Sequence, residues 1–364
     1  MSNSIRLLNI FVRDLFSRYL YHTPAHITFF ITNKCNYRCK TCFYWRQSVG
    51  EKKILSLEEI EKITQKFPTF TSIALTGGEP FLRDDLPQIA ELFYQNCSVR
   101  SFFIPTNGSL PEIINKKTEK ILRTCPNALV TVCLSLDGVG EDHDTIRGVK
   151  GAYESFLKSL ELLKQLKKRF PNLELNCSFT YNQYNQDLLL ETFQTVTKKL
   201  HLKNFNVSLV RGEARDLKSK QIDIKQYEQL TEKIDQEILK TNVNSKFKSF
   251  FSRLIMLRLA LVKKLAIQAF KTNKRPLPCL AGQFNLVITE EGDVYPCEML
   301  NKKLGSLRKT NYNIKKILAD QQALKIVDWI KDDHCCCTHE FNLPDNLLYS
   351  AAGMKYFISQ IFNS

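Results

Sequence analysis

A chain of 364 residues with 43% hydrophobic content is long enough for one large α/β core and a smaller appended unit. Its formal charge of +15 asks for an anionic partner or surface. Twelve cysteines in a chain of this length argue for metal ligation over a disulfide framework. Arg6, Arg13, Asp14 and Arg18 interrupt the early apolar residues, so neither a secretory signal nor an uncharged membrane span is expected. A reducing cytoplasm is the expected compartment, with peripheral attachment to a membrane as its extension.

Residues 5–20 place Leu8, Phe11, Val12, Leu15 and Tyr19 at helical spacing and predict an amphipathic helix capping the bottom of a core. Ile27–Ile31 reads as the first core strand. Ser56-Leu57-Glu58-Glu59 is a capping box opening a helix. Short buried strands follow at Ser72–Leu75, Phe102–Ile104, Leu129–Leu136, Leu173–Thr180 and Asn204–Val210, with helices predicted at 86–95 and around 153–166. This alternation argues for a parallel sheet of βαβ units. A helix over 223–240 leads into a stretch, 241–275, that carries nine Lys and Arg and no acid. That stretch reads as a solvated face packed on the core, or as an interfacial helix on anionic lipid. Nucleic acid is disfavoured as a partner, because no RNA-binding motif accompanies the charge. Beyond Pro278, Phe284–Thr289 and Val294–Met299 predict a β-hairpin with Cys297 in its second strand. A helical stretch over 314–330 then precedes Cys335-Cys336-Cys337. The expected boundaries are 1–25, 26–215, 216–275, 276–342 and 343–364.

Cys35, Cys39 and Cys42 form C-x3-C-x2-C directly after the first strand. A closed zinc or iron–sulfur site takes four ligands, and three leave one metal position open. Gly77-Gly78-Glu79-Pro80, Thr106-Asn107-Gly108 and Asp137-Gly138 fall at the ends of later strands, the rim where barrels of this kind place their chemistry.

Over residues 26–215 the chain resembles the radical SAM superfamily. The resemblance implies a partial (β/α)6 TIM-type barrel with a small C-terminal hairpin-plus-helix cluster domain. It also implies a 4Fe–4S cluster on Cys35, Cys39 and Cys42, whose open iron binds S-adenosylmethionine. One electron then yields a 5′-deoxyadenosyl radical that abstracts hydrogen from substrate. Gly77, Gly78, Glu79 and Pro80 match the family's GGEP motif around the SAM amino group, the glycines being read as close approach to a ligand. Thr106 and Asn107 match a segment beside the cofactor, and Ser135 and Asp137 a strand end on the ribose and substrate side. Arg147, in the run His143-Asp144-x-x-Arg147-Gly148, suits an anionic group such as the SAM carboxylate. Thr41 departs from the family, which usually has an aromatic residue before the third cysteine; here Phe43-Tyr44-Trp45 follow it.

The C-terminal part resembles the SPASM/twitch extension. Cys279, Gly292 and Cys297 fit its opening pattern, with Cys335 and Cys337 as the closing pair and His339 as an outside candidate. This implies one further iron–sulfur cluster, structural zinc being the competing occupant. Cys97, Cys125, Cys133 and Cys177 read as buried small hydrophobes. The expected activity is that of an oxidoreductase or transferase acting on a peptide, a protein or a lipid-linked molecule. A flavodoxin- or ferredoxin-like protein would supply the electron. The competing class is a non-catalytic, metal-stapled module for membrane or nucleic acid.

Overall fold

Six apolar runs become six parallel strands in the spatial order β6-β5-β4-β3-β2-β1. They are β1 His26–Thr32, β2 Ser72–Gly77, β3 Ser101–Thr106, β4 Leu129–Ser135, β5 Leu173–Tyr181 and β6 Phe205–Leu209. The structure, a computed structural model, describes residues 3–21, 23–48, 50–202, 204–243, 250–332, 335–336, 338 and 342–362. The sheet is a partial (β/α)6 barrel. Helix α1 is Asn3–Phe16, and the crossovers are α2 Leu57–Lys66, α3 Leu86–Asn96, α4 Pro111–Thr124, α5 Glu141–Arg147 with α6 Ala152–Arg169, and α7 Leu189–Gln194.

Crossover helices cover a parallel sheet, so its covered face must be apolar. Ile27, Phe29 and Ile31 of β1 accordingly pack with Ile60, Ile63 and Phe93 of the helices. Alternate residues serve the opposite face: His26, Thr28, Ser72 and Ala74 line a cavity of about 220 Å³. The capping box forms as expected, with Glu59 N donating to Ser56 Oγ and Ser56 N to Glu59 Oε2. Helix α4 has no counterpart in the sequence reading. Its buried stripe Ile114, Thr118, Ile121 and Leu122 is diluted by charged neighbours.

The C-terminal unit joins the same sheet. β7 Asn285–Ile288 pairs in parallel with β1, from His26 opposite Asn285 to Phe29 opposite Ile288. β8 Asp293–Tyr295 and β9 Gly305–Ser306 then add antiparallel. The hairpin is thus as expected but its second strand is shorter: Pro296 has no N–H to extend the ladder, and Cys297 lies beyond the strand. Arg308 ties this unit to the barrel. Its guanidinium donates to both Glu59 carboxylate oxygens at 2.8 and 2.9 Å, and to the carbonyls of Lys53, Ile54 and Glu291.

The remaining helices are α8 Ile224–Val243, α9 Phe250–Thr272, α10 Ile314–Leu318, α11 Gln321–Lys331, α12 Asn342–Tyr349 and α13 Ala351–Phe362. The single stretch predicted over 314–330 is two helices, because Asp320 caps a new start by accepting from Gln322 N. Helix α9 keeps one face inside the protein. Leu261, Val262, Leu265 and Ala266 are buried with Leu343, Leu347 and Phe357 of α12 and α13, while Lys263 and Lys271 pair with Asp235 and Glu228 of α8. No helix among the described residues is long and apolar enough to cross a membrane.

Helix α1 lies across the N-terminal ends of the strands. Asp14 Oδ2 meets His26 Nε2 at 3.1 Å, and Asp345 Oδ2 meets His26 Nδ1 at 2.8 Å. Tyr349 Oη donates to Asp14 at 3.0 Å. Burial alone would lower the His26 pKa, but Asp345 and then Asp14 outweigh it and raise it well above the ordinary value.

Candidate active site

The cysteine loop leaves the C-terminal end of β1 and is held by backbone hydrogen bonds from three directions and side-chain ones from a fourth. Gly78 N donates to Thr32 O at 2.9 Å and Glu79 N to Lys34 O at 2.8 Å. Lys40 N donates to Ile146 O at 2.9 Å, and Arg38 N to Arg147 O at 3.3 Å. From the end of β6 come Arg215 N to Cys42 O at 3.0 Å and Asp216 N to Lys40 O at 2.9 Å. Asn36, inside the motif, accepts from Asn107 Nδ2 at 2.9 Å and donates to Ser109 Oγ at 2.8 Å.

These contacts give the glycines a packing role. A Cβ on Gly77 would stand 2.1 Å from Thr32 O, and one on Gly78 2.1 Å from Lys34 O. Gly77 also has φ +137°. Both glycines let the end of β2 press against the chain leading into Cys35, whatever ligand lies beyond. Gly148 does the same from the other side, since its Cβ would meet Arg38 O at 2.7 Å.

Glu79 is buried, and its carboxylate accepts from Phe81 N (3.2 Å), Thr106 Oγ1 (2.9 Å) and Asn107 N (2.7 Å). Burial pushes its pKa up to about 7 against these hydrogen bonds. Pro80 opens a buried 3-10 turn, Pro80–Leu82, directly after it. Glu79 thus clamps the β2 and β3 ends together, and Asn107 links the clamp to Asn36.

Asp137 sits just beyond the end of β4. It is fully buried, accepts from Thr180 N at 2.9 Å, and meets Arg147 Nη2 at 2.8 Å. Burial pushes its carboxyl up, against the pull of Arg147. Arg147 Nη1 reaches Cys39 Sγ at 3.7 Å. Burial opposes the charge of Arg147, yet Asp137 outweighs it and raises the guanidinium pKa. A chain from Asp137 through Arg147 therefore aims positive charge at the central cysteine. His143 stays neutral, pushed down to about 3 by burial and by Arg147, with Nδ1 accepting from Asp137 N. Ser135 is half-buried at the end of β4, opposite Ser178 of β5.

The aromatic run after Cys42 reaches the C-terminal unit. Tyr44 packs on Phe30 and Val287 and donates to Glu290, which also holds Lys52 Nζ at 2.6 Å. Phe43 lies under the Arg211 guanidinium, 4.9 Å from the ring centroid, and Arg211 pairs with Glu298 at 3.1 Å. Trp45 lies under Arg215 and donates to Glu213 O. Nothing in the sequence linked residues 43–45 to 290–298; the signal was only that an unusual aromatic cluster adjoined the motif.

Among the described residues no three His, Cys, Asp or Glu side chains converge on one point as a closed metal site. The three thiols do share one loop. Cys35 is pushed up to about 11, chiefly by burial, and Cys42 rises through burial and then Cys39. Arg215 and Arg147 pull Cys42 back toward thiolate. Three soft donors beside two cations fit an iron–sulfur cluster, and the count leaves a position open. In the C-terminal unit Cys279 and Cys335 line one small pocket, Cys297 lines the 220 Å³ cavity, and Asn342 borders both. That all-sulfur set suits a second cluster. Cys336 Sγ points at Ala269 O, 4.0 Å away. Cys337 and His339 lie outside the described residues. Cys97, Cys125, Cys133 and Cys177 are buried, as expected.

Comparison with known proteins agrees with this geometry. Residues 29–184 match the model of the radical SAM superfamily, and residues 279–339 match SPASM, an iron–sulfur cluster-binding domain. The Fe-coproporphyrin III synthase of Methanosarcina barkeri is 31% identical over 43% of this chain and 36% of its own length. The subtilosin biosynthesis protein AlbA of Bacillus subtilis is 25% identical over 79% of this chain and 58% of its own. The chain thus spans only part of the length of each. Among solved structures, Streptococcus suis SuiB bound to S-adenosylmethionine superposes with a TM-score of 0.60 at 16% identity, over 90% of this chain and 73% of that one.

Proposed function

Because the chain belongs to the radical SAM superfamily and carries an SPASM domain, we propose that it cleaves S-adenosylmethionine reductively and abstracts hydrogen from a peptide or protein side chain. The observation that carries this reading is the tethering of one three-cysteine loop to the ends of β2, β3 and β6 and of α5. When bound, a 4Fe–4S cluster supplies the electron that turns S-adenosylmethionine into the hydrogen-abstracting 5′-deoxyadenosyl radical. Cys35, Cys39 and Cys42 hold that cluster. Glu79, Thr106 and Asn107 shape the wall for the amino group, and Arg147, anchored by Asp137, offers its charge to the carboxylate. Tyr44 and Phe30 close the apolar side beneath the loop and keep water from it.

The rim lies roughly 20 Å from the strand bases, the rise of the seven residues of β1. Cys297 lines the cavity at the basal end. Cys279, Cys297, Cys335 and Cys337 would hold the second cluster there. That basal cavity, about 220 Å³, is below the ~300 Å³ at which whole-ligand pockets begin. The alignments carry both substrate classes: the bacteriocin-biosynthesis relative covers 79% of this chain, and an AdoMet-dependent heme synthase of Methanosarcina barkeri covers 84% at 24% identity. An acidic donor of flavodoxin or ferredoxin type suits the +15 charge.

After anaerobic reconstitution and reduction, the protein is expected to release 5′-deoxyadenosine, and Cys39→Ala to release none. Continued release by that variant would sink the proposal. Stoichiometric zinc without iron, in protein purified without oxygen, would place the chain among non-catalytic metal-stapled modules.

A further inference from the structure

Eleven large apolar side chains are exposed among the described residues, and eight belong to the helical layer beneath the barrel. Five lie on α1 and the π-helical turn that continues it: Leu8 at 50% exposure, Val12 at 40%, Phe16 at 46%, Tyr19 at 48% and Leu20 at 62%. Leu8, Val12 and Phe16 recur every four residues, and Tyr19 and Leu20 extend the stripe by another turn. The opposite face of α1 is already satisfied, with Phe11 and Leu15 packed into the layer's core. Phe270 of α9, and Ile358 and Phe362 of α13, are the other three.

The charge on this layer is one-sided. Residues 3–21, 250–275 and 342–362 hold eleven Lys and Arg and two acids. Both acids, Asp14 and Asp345, are buried and held against His26. Arg253, Lys264, Lys274 and Lys355 are exposed. Although α8 supplies Asp235 and Glu228 to Lys263 and Lys271, the layer keeps a net positive charge, so a second copy docked through it would bring two cationic faces together, which repel. An apolar stripe with interfacial aromatics, on a helical layer whose α9 and α13 helices expose Arg253, Lys264 and Lys355, matches the headgroup region of an anionic bilayer.

We propose that the α1 stripe is a membrane-docking surface that lies on anionic phospholipid. The basic segment α9 contributes charge to this layer, while its apolar side, Phe270 excepted, packs inside the protein. The orientation follows from the fold. Helix α1 crosses the N-terminal ends of the strands, whereas Cys35, Cys39 and Cys42 sit beyond their C-terminal ends. Docking therefore turns the radical site away from the bilayer, and the substrate arrives from the aqueous side rather than out of the lipid.

The test is flotation of the full chain with phosphatidylcholine vesicles, with and without phosphatidylglycerol. Phe16→Ser/Leu20→Ser is run in parallel; both side chains are exposed, and an unchanged melting temperature checks the fold. The parent is expected to float with the phosphatidylglycerol vesicles alone, and the variant to bind at least about tenfold more weakly. Four outcomes overturn the proposal: no binding to anionic vesicles, equal binding to both, equal binding by the variant, or a parent dimer in sedimentation that the variant abolishes. The readout needs no cluster and no turnover, so its failure leaves the enzymatic reading standing.

Discussion

Replacing Gly78 by alanine asks what the glycine pair is for. A Cβ there would lie 2.1 Å from Lys34 O, 2.5 Å from Lys34 C and 2.9 Å from Asn33 O, where real contacts do not fall under 3.0 Å. The Lys34 carbonyl must retreat by nearly 1 Å, and Lys34 adjoins Cys35. Because the obstacle is main chain and cannot rotate away, the cost belongs at the upper end of the overpacking range, about 3 kcal/mol. For a chain of this size that lowers Tm by about 4 °C. Differential scanning calorimetry of the metal-free protein reads this directly, and iron content after anaerobic reconstitution is expected to fall with it. Were the glycines needed only for close approach to S-adenosylmethionine, the Gly78→Ala protein would melt like its parent, load iron fully and bind the cofactor poorly. That result would refute the reasoning.

Two other perturbations follow from the buried charges. Asp137→Asn leaves Arg147 buried without its counter-charge and is expected to cost about 3–5 kcal/mol in urea unfolding; a loss under ~1 kcal/mol would mean that the pair does not hold the structure. Glu79, raised to about 7, keeps its proton better folded than unfolded. Its contribution to stability is therefore greatest at acid pH and declines as pH rises from about 4.5 to about 7. Glu79→Gln is expected to flatten that part of the stability–pH curve, and an unchanged slope would show that the carboxylate titrates normally.

The strands of the barrel were legible because each is a short apolar run ending in glycine, asparagine or aspartate, and that pattern needs no knowledge of neighbours. The C-x3-C-x2-C loop was legible for the same local reason. What the sequence hid was pairing across long separations. Tyr44 meets Glu290, Arg308 meets Glu59 and Asp137 meets Arg147 through the fold alone. The acids that neutralise Lys263 and Lys271 sit on another helix, so a segment that looked uniformly basic is partly paired. Helix α4 was masked by charges on its outer face, and the tail helices by the lack of any polar periodicity.

The pairing of β7 with β1 bears on how the protein is made. β1 carries the cysteine loop at its end, yet one of its two sheet neighbours lies about 259 residues later in the chain. At ribosomal rates of ~5–20 residues per second, that gap lasts roughly 13–50 s. During that time the three thiols hang from a strand with one edge bare. Loading of metal before release would have to occur on a half-framed site, open to oxygen and to pairing with other chains. A delivery system that acts only on the finished chain would meet a strand already closed on both sides.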